Sequence, residues 1–190
     1  MTAVYPTTLF IALCIVWVIS QLWIGRRRSG DPAKTRDHGT LNLLIVTILV
    51  SLALGIWLAL RDDDQLATTN TTLLWLGMTL MIAGLLLRWW AVRTLAQFFT
   101  VDIAIQPGQE LIRNGPYRLL RHPSYTGALL TVLGFGIALG NIVAALLVVV
   151  PITAAFLWRI RIEEKMLATA FAEQYPAYAR DTRRLIPYLW

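Results

Sequence analysis

Long apolar runs alternate with short polar stretches along most of the chain. An α-helix rises 1.5 Å per residue, so about 20 apolar residues cross the ~30 Å hydrocarbon layer of a bilayer. Several runs reach this length, and the last apolar region is interrupted at Gly140-Asn141, which indicates two helices joined by a tight turn. We place the predicted spans at residues 5–25, 41–60, 73–90, 125–140 and 142–158. The pattern therefore predicts an all-α integral membrane protein with five transmembrane helices.

The positively charged residues are distributed unevenly between the predicted loops. Apart from Arg61, every Lys and Arg lies in one of three stretches, 26–40, 88–121 and 159–190. These stretches share one side of the membrane if the spans are right, and Lys and Arg favour the cytoplasmic side. We therefore expect the N-terminus outside and the C-terminus inside, in the inner (cell) membrane if the source is prokaryotic. Residues 91–124 and 159–190 would then build a cytoplasmic pocket within a single membrane domain.

Composition narrows the function classes. The chain is 57% hydrophobic and 15% charged, and its net charge of +6 comes from residues beside apolar runs, which disfavours nucleic acid as a partner. Cys14 is the single cysteine, so an intrachain disulfide and a thiolate metal site are both excluded, and no metal is expected. No Asp, Glu, Lys, Arg or His lies near the middle of a predicted span, which disfavours a channel or transporter. Membrane lipids are the expected surroundings, and the oligomeric state stays open.

A polar, proline-containing passage, residues 111–127, stands between the apolar runs. Pro123 suits the first turn of the following helix, where its missing N–H costs nothing, and His122 would then be the cap. Backbone N–H groups of such a turn, beside Arg118 and Arg121, favour a carboxylate or phosphate. The alternative is that the histidine only caps a helix and the arginines meet lipid headgroups. The residues alone leave both interpretations open.

Two further patterns lie after the last predicted span. Arg159 and Glu163 are four residues apart, so they share one face of the helix that leaves this span and point towards the polar passage. A surface ion pair of about 0.3–0.5 kcal/mol is the simpler alternative. Phe171, Tyr175 and Tyr178 recur at helical spacing and predict a C-terminal amphipathic helix over the cytoplasmic face. That helix covers the pocket in one interpretation and only anchors the chain in the other.

The polar passage also resembles a known family. The motifs NGPYR at residues 114–118 and RHPSYTG at residues 121–127 are similar to those of the isoprenylcysteine carboxyl methyltransferases and their phospholipid methyltransferase relatives. The similarity extends from about Leu95 to the C-terminus and includes residues 159–164. The resemblance implies an integral membrane enzyme that takes S-adenosylmethionine from the cytosol, releases S-adenosylhomocysteine, and methylates a lipophilic, possibly prenylated, acceptor from the bilayer.

The resemblance also assigns roles to individual positions. The residues implied in cofactor binding are Gln109, Glu110, Leu111, Ile112, Tyr117, His122, Pro123, Ser124, Tyr125 and Glu163. Arg159 occupies the position that binds the acceptor's carboxylate, and Arg159 and Glu163 are the implied catalytic pair. The chain departs from the family at Gln109, where relatives often carry histidine, so this contact is expected through the backbone. A glutamine contact of some relatives falls near Asp102 and is not carried over.

The expected reaction is carboxyl O-methylation of an isoprenylcysteine-like acceptor. A carboxylate with a pKa near ~4 is already ionised at neutral pH, so it needs alignment and no general base. An amine acceptor, as in N-methylation of a phosphatidylethanolamine-type headgroup, would need a base, and Glu163 or His122 would supply it. A reductase or isomerase on a related scaffold and a membrane protein without enzymatic activity are the remaining alternatives.

Overall fold

Helices account for most of the described chain. A computed structural model describes residues 4–27, 39–61 and 70–189. Its helices are α1 (Val4–Gly25), α2 (Thr40–Arg61), α3 (Thr71–Leu95), α4 (Pro123–Ala138), α5 (Ile142–Ala170) and α6 (Tyr175–Asp181), with 3₁₀ turns at Ala96–Phe98 and Gly115–Arg118. The described residues form no strand beyond an isolated bridge between Leu120 and Arg183, so the all-α prediction is confirmed. Most of the predicted basic loop 26–40 lies outside the described residues.

Four helices, α1, α2, α3 and α5, are long and apolar enough to cross a membrane. Large apolar side chains on their outer faces are exposed, as at Ile19 (60%) and Leu86 (67%), which is expected where lipid is the solvent. The protein is therefore a multi-pass membrane protein. Helix α4 is apolar but has 16 residues, about 24 Å, which is shorter than a full crossing. A fifth complete span and the orientation of the chain stay predictions.

The predicted break between the last two helices is confirmed. Gly140 has a φ of +71°, which favours glycine, and the side-chain oxygen of Asn141 accepts a hydrogen bond from the Ala144 N–H (3.0 Å) at the start of α5. Helix α5 continues past the predicted end at residue 158 to Ala170. Because it does not stop at the predicted boundary, one rigid helix carries both the span and the polar residues that follow it.

The closest helix contact is between α3 and α4. A Cβ built on Gly84 would lie 2.5 Å from the Gly127 carbonyl oxygen, and one built on Gly77 would lie 2.5 Å from that of Gly134. Both pairs are reciprocal, since a Cβ on Gly127 would lie 2.6 Å from the Gly84 oxygen. Small residues at such positions let helix backbones touch in a membrane. This contact fixes the beginning of α4, and therefore His122, against the end of α3.

Helix α1 is held against α3 and α4 by aromatic contacts. The rings of Trp17 and Phe135 lie 5.6 Å apart, and those of Trp23 and Trp89 stack at 4.8 Å. The Trp89 Nε1–H also donates a hydrogen bond to Ser20 Oγ (2.7 Å), which sets the rotation of α1 about its own axis. Helix α2 packs on α5 instead. Helices α1 and α2 therefore pack against different helices, and a space remains between them.

The C-terminal tail folds back onto the polar passage. Tyr178 donates a hydrogen bond to the Tyr117 carbonyl (2.9 Å), and the Arg121 N–H donates to the Arg183 carbonyl (2.7 Å). Burial raises the pKa of Tyr178 well above its ordinary value, so the phenol stays protonated and able to donate. Helix α6 has seven residues and begins after Phe171. The structure therefore shows a short helix with its tyrosines buried, in place of one amphipathic helix that includes Phe171.

The glycine contact gives a test of the fold. We expect Gly84→Ala to lower the unfolding temperature in detergent, although alanine is the better helix former by about 1 kcal/mol, because its Cβ would force α3 and α4 apart at a cost of about 1–3 kcal/mol. Gly25→Ala is the matched control, since nothing lies within 4 Å of a Cβ there. Equal stability of the two variants would contradict the contact.

Candidate functional site

A cavity of about 730 Å³ lies at the end of the helices where α4 begins. Its polar half is lined by Arg88, Gln109, Tyr117, Arg121, His122, Ser124, Tyr125, Arg159 and Glu163. Its apolar half, between α1 and α2, is lined by Trp17, Val18, Leu22, Leu44, Ile45, Ile48, Leu49 and Leu52. The cavity therefore connects a region lined by charged side chains to a region lined by apolar side chains.

Arg159 is the central cation of the polar half and is 2% exposed. Its Nε–H donates to the Tyr125 hydroxyl (3.1 Å), its Nη1 donates to Thr40 Oγ1 (3.0 Å), and its Nη2 donates to the Val101 carbonyl. A buried guanidinium is tolerated only when its donors are satisfied in this way. The bonds connect α5 to the start of α2, the start of α4 and the segment that follows α3.

Glu163, Tyr125 and His122 form one group beside Arg159. The Tyr125 hydroxyl donates to Glu163 Oε2 (2.6 Å), and the His122 ring lies parallel to the Tyr125 ring at a centroid distance of 5.5 Å. His122 Nδ1 is 3.8 Å from Glu163 Oε1. Burial raises the pKa of Tyr117 well above its ordinary value, and the negative charge of Glu163 adds to this effect. The Tyr117 phenol, which lines the cavity, is therefore neutral at physiological pH.

Three residues of the cavity wall each have a buried side-chain nitrogen without a hydrogen-bond partner in the described part of the chain: Gln21 Nε2, Arg88 Nε and His122 Nε2. His122 Nε2 is 3.6 Å from Glu164 Oε1, beyond hydrogen-bonding range, while Arg88 also donates from Nη1 to the Ser124 carbonyl (3.2 Å). Native proteins pair nearly all their buried polar atoms. These three nitrogens are exceptions, and because they have almost no accessible surface they are covered by protein atoms and do not face the cavity.

Glu164 lies next to the site, but its hydrogen bonds hold the C-terminal tail in place. Its Oε1 accepts from Arg121 Nε (2.8 Å) and its Oε2 accepts from Arg184 Nε (2.9 Å). Arg121 also donates to the carbonyls of Ala179 and Thr182, both at 2.7 Å. These bonds hold the tail against Arg121 and Glu164, so Glu164 has a structural environment distinct from that of Glu163.

The sequence-predicted site residues divide into two groups. Gln109, Tyr117, His122, Ser124, Tyr125, Arg159 and Glu163 line the cavity, whereas Glu110, Leu111, Ile112 and Pro123 do not. Pro123 is fully buried in the first turn of α4, as predicted, and Glu110 is exposed. The Gln109 side-chain oxygen accepts from the Gln106 N–H (2.8 Å), so this side chain shapes a turn. The assigned binding roles stay predictions.

The sequence interpretation missed several residues of the cavity. Arg88 had a usable signal, because a charged residue close to the end of an apolar run marks a possible functional position. Gln21 had the same kind of signal as an amide inside the first run. Thr40 and Val101 had none, since they contribute a hydroxyl and a backbone carbonyl whose positions depend on the fold.

Comparisons with known proteins agree with this arrangement. The sequence model of the phospholipid methyltransferase family matches residues 72–174. Protein-S-isoprenylcysteine O-methyltransferase A of Arabidopsis thaliana is 30% identical over 162 residues, which cover 80% of this chain and 82% of the relative. Protein-S-isoprenylcysteine O-methyltransferase B of the same plant is 33% identical over 115 residues, covering 60% of this chain and 58% of the relative.

A solved structure has the same fold. The eukaryotic intramembrane Ras methyltransferase, an isoprenylcysteine carboxyl methyltransferase, superposes with a TM-score of 0.56 at 26% identity, covering 72% of this chain and 52% of the solved one. This chain thus spans little more than half of the solved protein and of the B enzyme. With more than half of its length matched by the family model and 82% of the A enzyme covered, this protein belongs to the phospholipid methyltransferase family, together with the isoprenylcysteine carboxyl methyltransferases.

Proposed function

We propose that this protein is an S-adenosylmethionine-dependent methyltransferase that esterifies the carboxylate of a lipid-linked, isoprenylcysteine-like acceptor. The observation that carries the proposal is one continuous cavity whose polar half contains Arg159 and Glu163 and whose apolar half runs between α1 and α2. A water-soluble cofactor and a lipid can meet in such a space. Membership of the family supports the same reaction class.

The residues of the polar half fit the cofactor. S-adenosylmethionine supplies a methyl group activated by a positively charged sulfur. The Glu163 carboxylate would attract the cofactor's cationic groups, and His122 and Arg88, which line the same half of the cavity, would lie beside its polar atoms. Tyr117 and Tyr125 add neutral, rigid aromatic walls. Of the other predicted cofactor residues, Gln109, Glu110, Leu111 and Ile112 would act from the neighbouring loop, and Pro123 and Ser124 through the first turn of α4.

Arg159 would position the acceptor. A carboxylate brought to its guanidinium would be held in a buried environment, where charge interactions are stronger than in water. An ionised carboxylate needs no base, so the contribution of the protein is alignment of the attacking oxygen and exclusion of water. The tail, held by Arg121 and Glu164 next to these residues, would help to exclude water from this half of the cavity.

The apolar half would accept the lipid. Its lining on α1 and α2 consists of Leu, Ile, Val and Trp side chains, which suit an isoprenoid. Each buried methylene contributes about 0.8 kcal/mol, so a prenyl chain would supply most of the binding energy. This arrangement lets the acceptor stay in the bilayer while its carboxylate reaches Arg159.

A second acceptor class is an amine headgroup. His122 Nδ1 lies 3.8 Å from Glu163 Oε1, so the site holds a histidine and a carboxylate that can take up a proton, as N-methylation requires. The family model describes phospholipid methyltransferases, and this description supports an amine headgroup as the second acceptor class. The two acceptor classes place different demands on Arg159, which a carboxylate needs and an amine does not.

The proposed activity and orientation can be measured together. In detergent, radiolabelled S-adenosylmethionine should label N-acetyl-S-farnesylcysteine in preference to phosphatidylethanolamine or a simple thiol. In sealed vesicles, labelling should require the cofactor on the cytoplasmic side, as the positive-inside distribution predicts. Labelling of the phospholipid alone would replace the carboxylate acceptor by the amine. Absence of both labelling and cofactor binding would refute the methyltransferase.

Charge at Glu163 should matter for the cofactor. Glu163→Gln keeps an oxygen for the Tyr125 hydroxyl but removes the negative charge, so we expect about tenfold weaker S-adenosylmethionine binding by calorimetry. The product S-adenosylhomocysteine, which keeps the α-ammonium group but lacks the sulfonium charge, should lose less affinity. Glu164→Gln is the control, since Glu164 binds the tail arginines, and it should lower thermal stability while affecting affinity less. Unchanged cofactor affinity in Glu163→Gln would remove the residue from the site.

Arg159 should discriminate between acceptor classes. Arg159→Lys keeps the charge but loses the planar fork that binds a carboxylate through two bonds, so kcat/KM for N-acetyl-S-farnesylcysteine should fall at least about tenfold. Affinity for S-adenosylhomocysteine should change much less. Normal turnover of the carboxylate would contradict the clamp, and an equal loss of cofactor affinity would show that the substitution disturbs the whole site.

A further inference from the structure

The end of the C-terminal tail carries a cluster of exposed apolar side chains. Tyr188 is 82% exposed and Leu189 is 79% exposed, and the side chains of Ile186 and Leu119 are exposed as well. The Arg183 N–H donates to the Leu119 carbonyl (3.0 Å), so Leu119 lies beside the tail. Single apolar residues are common on protein surfaces, but a group of four indicates contact with something other than water.

Two arginines lie beside this apolar cluster. Arg180 and Arg183 line a shallow depression of about 140 Å³ together with Leu119 and Tyr188. Both arginine side chains are exposed. Asp181 lines the same depression, but in the part of the chain that the structure describes neither guanidinium forms an ion pair with a carboxylate. The depression therefore has an excess of positive charge next to its apolar residues.

The backbone of the tail runs towards the membrane-spanning part of the protein. Leu120 and Arg183 form a parallel bridge, and Thr126 Oγ1 donates to the Leu185 carbonyl (2.8 Å). Thr126 is the fourth residue of α4, so the tail reaches this apolar helix at its first turn. Residues 186–189 continue from that point.

The first turn of α4 lies at the predicted membrane–water interface. Arg88 of α3 donates to the Ser124 carbonyl (3.2 Å) in this turn. Trp89 and Trp90 follow Arg88 in α3, and tryptophan is enriched where lipid headgroups meet acyl chains. The exposed apolar residues of the tail are therefore carried to the level of the headgroups.

We propose that the end of the tail, residues 180–189, docks on the bilayer and binds anionic phospholipid headgroups. Arg180 and Arg183 bind the headgroup phosphates through charged hydrogen bonds. The side chains that enter the interface are those of Ile186, Tyr188 and Leu189. Each arginine near an anionic leaflet shifts the docking equilibrium by about fivefold. An acidic soluble protein would pair with the arginines, but the bilayer also takes the apolar side chains out of water.

The test places a bimane fluorophore at the end of the tail. Tyr188→Cys in a Cys14→Ala background leaves one thiol for the label, because Cys14 is the single native cysteine. The labelled protein is reconstituted into bilayers that contain spin-labelled phosphatidylcholine, whose nitroxide quenches bimane on contact. The fraction of quenched label gives the ratio of docked to undocked tail.

We expect this ratio to depend on anionic lipid. It should be at least about fivefold higher with about 30% phosphatidylglycerol than in pure phosphatidylcholine. Substituting both arginines, Arg180→Gln with Arg183→Gln, should return the ratio to within about twofold of the value in pure phosphatidylcholine. Leu189→Cys is the second label position if the Tyr188→Cys protein does not fold.

Two controls separate the tail from the rest of the surface. The same label at Ala172→Cys, an exposed position in the turn that follows α5, should stay unquenched in both lipids. Arg61→Gln removes an exposed arginine at the end of α2, whose other end binds Arg159, and should leave quenching at position 188 unchanged.

Three outcomes would overturn the proposal. Equal quenching in the two lipids, or quenching that survives the double arginine substitution, would exclude recognition of anionic headgroups. A label that neither lipid quenches would exclude docking and leave the surface to a soluble partner. Inorganic phosphate at constant ionic strength should not reduce quenching, and a reduction would show that the arginines bind the free anion in preference to a headgroup.

Discussion

A buried arginine determines how the polar half of this protein is assembled. Burying a guanidinium costs several kcal/mol unless its N–H groups find acceptors. Arg159 meets that requirement with oxygens from Thr40, Val101 and Tyr125, which belong to three different parts of the chain. The hydrogen bonds that allow Arg159 to be buried are therefore the same bonds that assemble the site.

The arginine also makes the site a continuous polar network. The Tyr125 hydroxyl accepts from Arg159 and donates to Glu163, so its proton has one defined direction. The His122 ring lies flat on the same tyrosine. In a low-dielectric environment such linked bonds reinforce one another and hold the side chains before a ligand arrives. Pre-organisation of this kind suits methyl transfer, in which alignment is the main task of the protein.

Local patterns in the sequence predicted the local features well. The apolar runs gave the positions of the long helices, Pro123 gave the start of α4, and Gly140 gave the turn before α5. Features that depend on distant contacts were not accessible. Arg159 and Thr40 are 119 positions apart, so periodicity holds no information about their bond.

The tail illustrates the same limit. The spacing of its aromatic residues predicted a surface helix. In the structure, Tyr178 instead donates a hydrogen bond to the Tyr117 carbonyl, 61 positions away in the chain. The family resemblance was more informative than periodicity. It assigned Tyr117, His122 and Glu163 to one site, and all three residues line the cavity. It gave no role to Gln21 or Arg88, although both line the cavity.

The glycine contacts between α3 and α4 determine which parts of the molecule are able to move. Their backbones touch at Gly84 and Gly127 and again at Gly77 and Gly134, with no side chains between them that a change of rotamer would relax. Sliding of one helix past the other would bring carbonyl oxygens into collision, so this pair acts as a fixed frame. Helices α1 and α2 rest on different neighbours, α3 and α5. Any change in the width of the cavity would therefore come from movement of α1 and α2.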